Sequence, residues 1–149
     1  MTAERLRALV ATPDPTVLAG CYDGVSARLD EQAGFHAAHM SGFAVAGSLL
    51  GRPDVGLLTM TEMADAASRI ARVLSIPLLA DADTGYGNAL NVVRTVEAYI
   101  AGGVAGMHLE DQQMPKRCGH LAGKTIVPAD EMAGKLRAAV DTRDAVGID

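Results

Sequence analysis

What most constrains this chain is a recurrence of short apolar runs: Val17 to Cys21, Ala37 to Met40, Pro77 to Ala80 and Val104 to Leu109, each followed by polar or glycine-rich residues. Each is too brief for a helix, and runs of that length bounded by turn residues suit buried strands. Helical patterns lie between them. The clearest spans Thr61 to Leu74, where Met63, Ala67, Ile70, Ala71 and Leu74 repeat at helical spacing and Thr59 with Glu62 offers a capping box. A second covers Asn91 to Ala101, with Asn91 as N-cap, Val92, Val96, Tyr99 and Ile100 inward, and Gly102-Gly103 as the stop. A first helix is expected over Ala3 to Ala11, with Thr2 as N-cap and Pro13 and Pro15 ending it, and another from about Ala129 to Thr142 behind Pro128. Ala145 to Asp149 reads as the opening of a fifth strand.

Strand and helix therefore alternate about four times, which calls for a parallel α/β sheet. No GxGxxG turn follows the first strand, so a dinucleotide-binding sheet is disfavoured and a barrel preferred. A complete (β/α)₈ TIM barrel takes roughly 250 residues. The expectation is one partial barrel domain over residues 1–149, the N-terminal half of such a barrel, truncated at its C-terminal side.

Composition supports a packed core, since 49% of residues are apolar, but with 3% aromatics and no Trp the filling must come from Ala, Val, Leu and Met. The net charge is −5 and the basic runs are short, which argues against a nucleic-acid partner. No apolar stretch approaches the ~20 residues that cross a bilayer, and Glu4 precedes any apolar run. The reading is a cytoplasmic protein with no membrane contact, whose Cys21 and Cys118 are free thiols rather than a disulfide.

Chemistry concentrates at strand ends. Asp81-Ala82-Asp83-Thr84-Gly85-Tyr86-Gly87-Asn88 follows the third apolar run, at the end of a strand where barrel active sites lie. Two carboxylates two residues apart share one face of an extended segment and repel unless a proton or cation lies between them. Oxygen-only donors suit Mg²⁺, with Mn²⁺ as the alternative. The fourth run ends Met107-His108-Leu109-Glu110-Asp111-Gln112, which makes Glu110 a further candidate ligand, direct or through water. His108 alternates onto the same face, though a lone strand histidine is more often a hydrogen-bonded core residue. The next loop, Pro115-Lys116-Arg117-Cys118-Gly119-His120, surrounds one thiol with two cations and an imidazole, neighbours that favour thiolate and mark a reactive cysteine. Cys21, inside an apolar run, reads as a small buried hydrophobe.

Lys116-Arg117-Cys118-Gly119-His120 is similar to the KKCGH signature of lyases in the isocitrate lyase and phosphoenolpyruvate mutase superfamily, and the segments 81–88 and 109–112 resemble two further motifs in the same order. Weaker similarity runs through Tyr22-Asp23-Gly24-Val25-Ser26-Ala27, Ser41-Gly42-Phe43 and Gly51-Arg52-Pro53-Asp54, covering nearly the whole chain. The resemblance implies a Mg²⁺-dependent barrel acting on small 2-oxo or 2-hydroxy carboxylates, a homo-oligomer that is tetrameric at full length. It implies that Asp81 and Asp83 hold the metal, that Glu110 contributes through water, and that Asp54 lies near. Ser41, Gly42 and Phe43 match the segment that grips the substrate carboxylate, Tyr22 and Asp23 would line the pocket, and Gly119 would permit close approach. Cys118 matches the lyase acid or base on a gating loop, with Lys116, Arg117 and His120 as its catalytic neighbours.

The resemblance further implies that a base removes the 2-hydroxyl proton, the carbon–carbon bond breaks to give a 2-oxo acid, and Cys118 protonates the departing carbon. The phosphonate-forming mutases lack the cysteine signature, which favours a carbon–carbon lyase. Cys118-Gly119-His120-Leu121-Ala122-Gly123-Lys124 departs from the CGHRPNK pattern of 2-methylisocitrate lyase and is closer to the dimethylmalate lyase and oxaloacetate hydrolase group. Substituted malates, methylisocitrate and oxaloacetate stay open as substrates. The alternatives are a decarboxylase or hydrolase of the same superfamily and a half-barrel that only assembles with a partner.

Overall fold

All four expected strands form, three shorter than their apolar runs and the third displaced by one residue, in a computed structural model that describes residues 2–147. The order is α1 (Thr2–Val10), β1 (Ala19–Cys21), α2 (Gly24–Gln32), β2 (Ala38–Met40), α3 (Gly42–Leu50), α4 (Met60–Ala71), β3 (Leu78–Asp81), α5 (Ala89–Ala101), β4 (Gly106–His108) and α6 (Ala129–Val146). The strands make one parallel sheet in the order β1-β2-β3-β4. Sequential order with no reversal is how a (β/α)₈ barrel is wound, whereas a doubly wound sheet reverses at a switch point.

Register assigns the two faces. Gly20, His39, Leu79 and Gly106 lie in one row and Asp81 pairs with His108 two residues on, so His39, Leu79, Asp81 and His108 share a face. Cys21, Ala38, Met40, Leu78 and Ala80 take the other face and are buried with Ala27 of α2, Val45 and Ala46 of α3, Met63, Ala67 and Ile70 of α4, and Tyr99 of α5. On the first face, Leu6 and Leu9 of α1 cover Leu18, Ala37, Leu79 and Ala105 at the strands' starting ends. Gly106 admits that helix: a Cβ there would stand 2.7 Å from Leu6 Cδ2. The opposite end of this face is left to polar side chains.

Helix starts follow local capping, with three corrections. Asn88, not Asn91, caps α5; its side chain accepts from the Leu90 and Asn91 amides, and Asn91 is the N3 partner of the box. Thr2 is the first residue of α1 rather than its cap. Ala145 and Val146 continue α6 until Gly147 stops it at φ +71, so the helix takes the place of the expected fifth strand; positions 148 and 149 lie outside the described residues. The expected box at α4 forms, with the Thr59 side chain accepting from the Glu62 amide at 3.3 Å and Glu62 Oε2 accepting from the Thr59 amide at 2.8 Å. Thr59→Ala is expected to cost about 1 kcal/mol, read as a lower urea midpoint with unchanged slope. Among the described residues, no helix is long and apolar enough to cross a membrane.

Candidate active site

The β3 end is built for polar work. Asp81 closes the strand on the face it shares with His39 and His108, and its Oδ1 accepts from the Asp83 amide at 2.9 Å. The chain then turns through left-handed conformations at Asp83 (φ +46) and Tyr86 (φ +60), costly for residues with a Cβ and held by surrounding contacts. The start of α3 meets this end from the β2 side. Gly42 donates its N–H to Asp81 Oδ2 at 3.0 Å, and a Cβ at position 42 would lie 2.6 Å from that oxygen and 3.6 Å from Asp83 Oδ1. Only glycine lets α3 approach so closely.

Lys116 enters from the loop after β4. Its ammonium binds Asp54 Oδ2 at 2.7 Å and also pairs with Asp83 Oδ1, which takes no further hydrogen bond. Lys116, Asp54, Asp81 and Asp83 are all buried, Lys116 at 2% exposure. Gln112 ties the loop to the cluster: its Nε2 donates to Glu110 Oε2 at 2.8 Å and to the Arg117 carbonyl at 2.9 Å, while its Oε1 accepts from the Arg117 amide. An antiparallel bridge between Gln112 and Ile126 closes the loop at its base.

The carboxylates differ in their electrostatics. Burial acts to raise Asp81, but the His108 imidazole at 3.1 Å, aided by the Asp83 amide and Lys116, holds it below the ordinary carboxylate value. Burial pushes Asp83 up, against Lys116 and reinforced by Asp81 and Asp54. Glu110 is likewise raised by burial and by its acidic neighbours, with Lys116 opposing. The Asp81 hydrogen bond lifts His108 above the usual histidine value against burial, whereas burial and the His108 charge lower His39, stacked on it at 5.2 Å. Burial lowers and the Asp54 and Asp83 hydrogen bonds raise the Lys116 ammonium, the latter prevailing. Four carboxylates thus converge around one buried ammonium.

Cys118 is buried beside this cluster, its backbone N–H donating to the Asp54 carbonyl at 2.9 Å. Its Sγ lies 3.3 Å from His120 Nδ1. The expectation of two cations around the thiol is corrected. The four-carbon stem of Lys116 carries its charge to the carboxylates, and Arg117 donates to the Ala122 carbonyl at 3.2 Å. Only the exposed His120 meets the sulfur among the three. Gly119 follows with open space where a Cβ would stand. Cys21 is buried as expected, and desolvation drives its thiol up to about 12.

Of the remaining candidates, Ser41 caps α3, with its Oγ accepting from the Ala44 amide, and Phe43 is largely exposed on that helix. Asp23 caps α2; its carboxylate accepts from the Ser26 amide and hydroxyl, which lowers its pKa. Tyr22 is partly exposed beside it at the end of β1. Sequence reasoning missed His39 and Gln112 as members of the site and Tyr99, whose hydroxyl donates to the Asp81 carbonyl at 2.8 Å.

The donor chemistry fits a hard divalent cation. Asp83 Oδ1 is a buried oxygen with nothing but an ammonium against it, and the Gly42 backbone stands hard against Asp81 beside it. Among the described residues no three His, Cys, Asp or Glu side chains converge closely enough to hold an ion alone. Asp81 and Asp83 could supply direct or water-mediated contacts, leaving other positions to water and substrate oxygens, as Mg²⁺ commonly requires.

A sequentially wound parallel sheet with buried carboxylates gathered at the C-terminal ends of its strands has the arrangement of half a (β/α)₈ barrel. The chain belongs to the phosphoenolpyruvate phosphomutase family, within the phosphoenolpyruvate mutase and isocitrate lyase superfamily; the family model matches residues 6–149. It is 51% identical over 142 residues to 2,3-dimethylmalate lyase of Eubacterium barkeri, covering 95% of this chain and 49% of that protein. Oxaloacetate acetylhydrolase in complex with 3,3-difluorooxalacetate superposes with a TM-score of 0.93 at 46% identity, over 97% of this chain and 50% of that one. A phosphonopyruvate hydrolase in complex with oxalate and Mg²⁺ superposes with a TM-score of 0.85 at 34% identity, over 96% and 48%. The chain thus spans about half the length of the relatives it matches.

Proposed function

We propose that the enzyme built on this domain is a Mg²⁺-dependent carbon–carbon lyase, with Mn²⁺ as the alternative metal. It cleaves a small 2-hydroxy di- or tricarboxylate of the dimethylmalate or methylisocitrate type to a 2-oxo acid and a second carboxylate. The observation that carries this reading is the Cys118 thiol against the His120 imidazole, with its backbone tied to Asp54 beside the carboxylate cluster. The 51% identity to a 2,3-dimethylmalate lyase supports it.

Asp81 and Asp83 would hold the ion, with Glu110 and Asp54 contributing through water. When bound, a divalent ion stabilises the oxyanion that develops on the 2-oxo acid. Ser41 caps α3 and Gly42 and Phe43 open it; with the Gly42 amide on Asp81 and the Ala44 amide on Ser41, the Phe43 amide is the one that suits a substrate carboxylate, while Tyr22 and Asp23 line the approach. A base takes the 2-hydroxyl proton, its electron pair forms the new carbonyl, and the pair of the breaking carbon–carbon bond passes to the leaving carbon. The Cys118 thiol protonates that carbon, and exposed His120 returns a proton from solvent to the sulfur. Lys116 offsets the carboxylate charge that would repel a polyanionic substrate, Arg117 braces the loop through Ala122, and Gly119 keeps the approach to the sulfur open.

The likeness to oxaloacetate acetylhydrolase at 46% identity supports a second reading, hydrolysis of oxaloacetate at the same site. Product analysis on this chain, and on a version extended to the length of its relatives, separates the two. The lyase reading expects a 2-oxo acid plus a second acid from 2,3-dimethylmalate or 2-methylisocitrate. Oxalate plus acetate from oxaloacetate favours the hydrolase, and CO₂ a decarboxylase. The same proposal carries a homo-oligomer, which sedimentation of the extended chain tests.

The cation site itself gives a prediction independent of turnover. Gly42→Ala pushes a methyl group toward the Asp81 carboxylate, and is expected to weaken Mg²⁺ binding by about ten- to a hundredfold. Isothermal titration with Mg²⁺ checks it, and an affinity within twofold of the parent would place the ion elsewhere.

A further inference from the structure

The consecutive carbonyls of the β3 loop are each held by a donor. Asp81 accepts from the Tyr99 hydroxyl at 2.8 Å, Ala82 from the Gly85 amide at 2.9 Å and Asp83 from the Glu110 amide at 2.7 Å. Thr84 accepts from the Lys135 ammonium at 3.1 Å, and Gly85 from the Thr95 hydroxyl at 3.2 Å. Among these donors Lys135 alone is charged and alone comes from α6. It is 3% exposed, deep in the packing of α6 on α5, and its one carboxylate neighbour among the described residues is half-exposed Glu131 at 3.9 Å.

A lysine in a helix–helix contact is costly unless its charge is met, and an apolar side chain of similar length would pack there without that cost. The ammonium is met by a peptide carbonyl in the segment where the backbone is least comfortable: Asp83 at φ +46 precedes Thr84, and Tyr86 at φ +60 follows two residues later. Charge-assisted hydrogen bonds are the stronger kind, suited to holding a strained turn that would otherwise relax. Relaxation would rotate the Asp83 carboxylate, whose direction depends on this turn, away from Lys116 and Asp54.

We propose that Lys135 is a positioning residue: from α6 it pins the Thr84 carbonyl and thereby fixes the left-handed turn that aims Asp83 at Lys116 and the proposed cation site. The cation part rests on the reading given above, while the pinning of the turn does not. Lys135→Met keeps the apolar stem and removes the ammonium. Two readouts are taken on the 149-residue chain, hydrogen exchange of the 82–88 segment without metal and Mn²⁺ binding by electron paramagnetic resonance.

The expected result is at least tenfold faster exchange at the Asp83 and Gly85 amides with β1 and β2 unchanged, and Mn²⁺ affinity about tenfold weaker. Lys135→Arg, which restores a charged donor, is expected to recover at least half of both effects on a logarithmic scale. If Lys135→Met does not fold, Lys135→Gln, too short to reach Thr84, carries the same thresholds. Unchanged exchange in a folded variant overturns the proposal, as does faster exchange with Mn²⁺ affinity held within twofold. If the parent chain binds no Mn²⁺ but its variant still loses protection in 82–88, the metal reading fails and the pinning stands.

Discussion

Lys116→Met is expected to destabilise the metal-free chain by about 3–5 kcal/mol, the range seen when one partner of a buried ion pair is removed. The substitution keeps the side chain's length and apolar stem, so what is lost is the charge that Asp54 and Asp83 enclose. Asp83 and Glu110 already sit above ordinary carboxylate values through burial and mutual repulsion, with Lys116 opposing the rise. Without it the folded state must hold these groups ionised against one another or protonate them. The sign with pH follows. A carboxyl raised in the folded state opposes folding when ionised, and that penalty disappears as pH falls and the group takes up a proton. The stability gap between variant and parent is therefore expected to be wide at pH 8 and to narrow toward pH 5.

Divalent metal supplies the other arm of the same test. An ion binding only the folded state stabilises by about 2.7 kcal/mol at a hundredfold excess over its dissociation constant. Because it brings positive charge to the oxygens Lys116 serves, Mg²⁺ is expected to restore much of the variant's loss while adding less to the parent, whose ammonium competes for Asp83. Urea unfolding in EDTA and in Mg²⁺, at both pH values, reads all of this. A variant as stable as its parent in EDTA would mean that the four carboxylates do not form one electrostatic unit.

The elements that were legible in the sequence are those whose signal is local. Short apolar runs gave away the strands because a buried parallel strand needs apolar residues on both faces, and Thr59 with Glu62 marked α4 because a capping box is a four-residue pattern. Ladder length was not legible: Leu18 and Val104 lie outside the strands and are apolar because they pack in the cores beside the sheet's starting edge, while Val17 is exposed. Asn88 and Asn91 satisfy the same capping rule three residues apart, and the positive-φ glycines at 85 and 87 finish the turn early enough for the first to win. α3 escaped notice because its apolar residues surround it without a face.

In the site, acidic residues at adjacent strand ends could be read as converging, since strand alternation and barrel geometry place them at one end of one face. The cations could not. Lys116 adjoins the thiol in sequence, yet its reach delivers its charge to Asp54 across 62 positions. Lys135 reads as one more charge on a helix, and only the packing of α6 on α5 turns it toward Thr84. Long flexible side chains are where a sequence says least about destination.

Cys118→Ser is expected to lower kcat by about 10²–10⁴-fold, the usual share of a positioned general acid or base, in a chain extended to the length of its relatives. Serine keeps a hydroxyl beside His120 and leaves the backbone bond from residue 118 to the Asp54 carbonyl intact, so the loop stays docked. What changes is acidity, since a hydroxyl gives up a proton far less readily than a thiol. The loss therefore belongs to the step in which the departing carbon is protonated, and Mg²⁺ affinity and KM are expected to stay within about threefold, the pattern of an interaction made chiefly in the transition state. Full turnover in Cys118→Ser would remove the proton from sulfur and hand it to another group or to water, and with it the observation on which the lyase reading rests. A rise in KM with kcat unchanged would instead make Cys118 a binding residue and leave the chemistry to the carboxylate cluster alone.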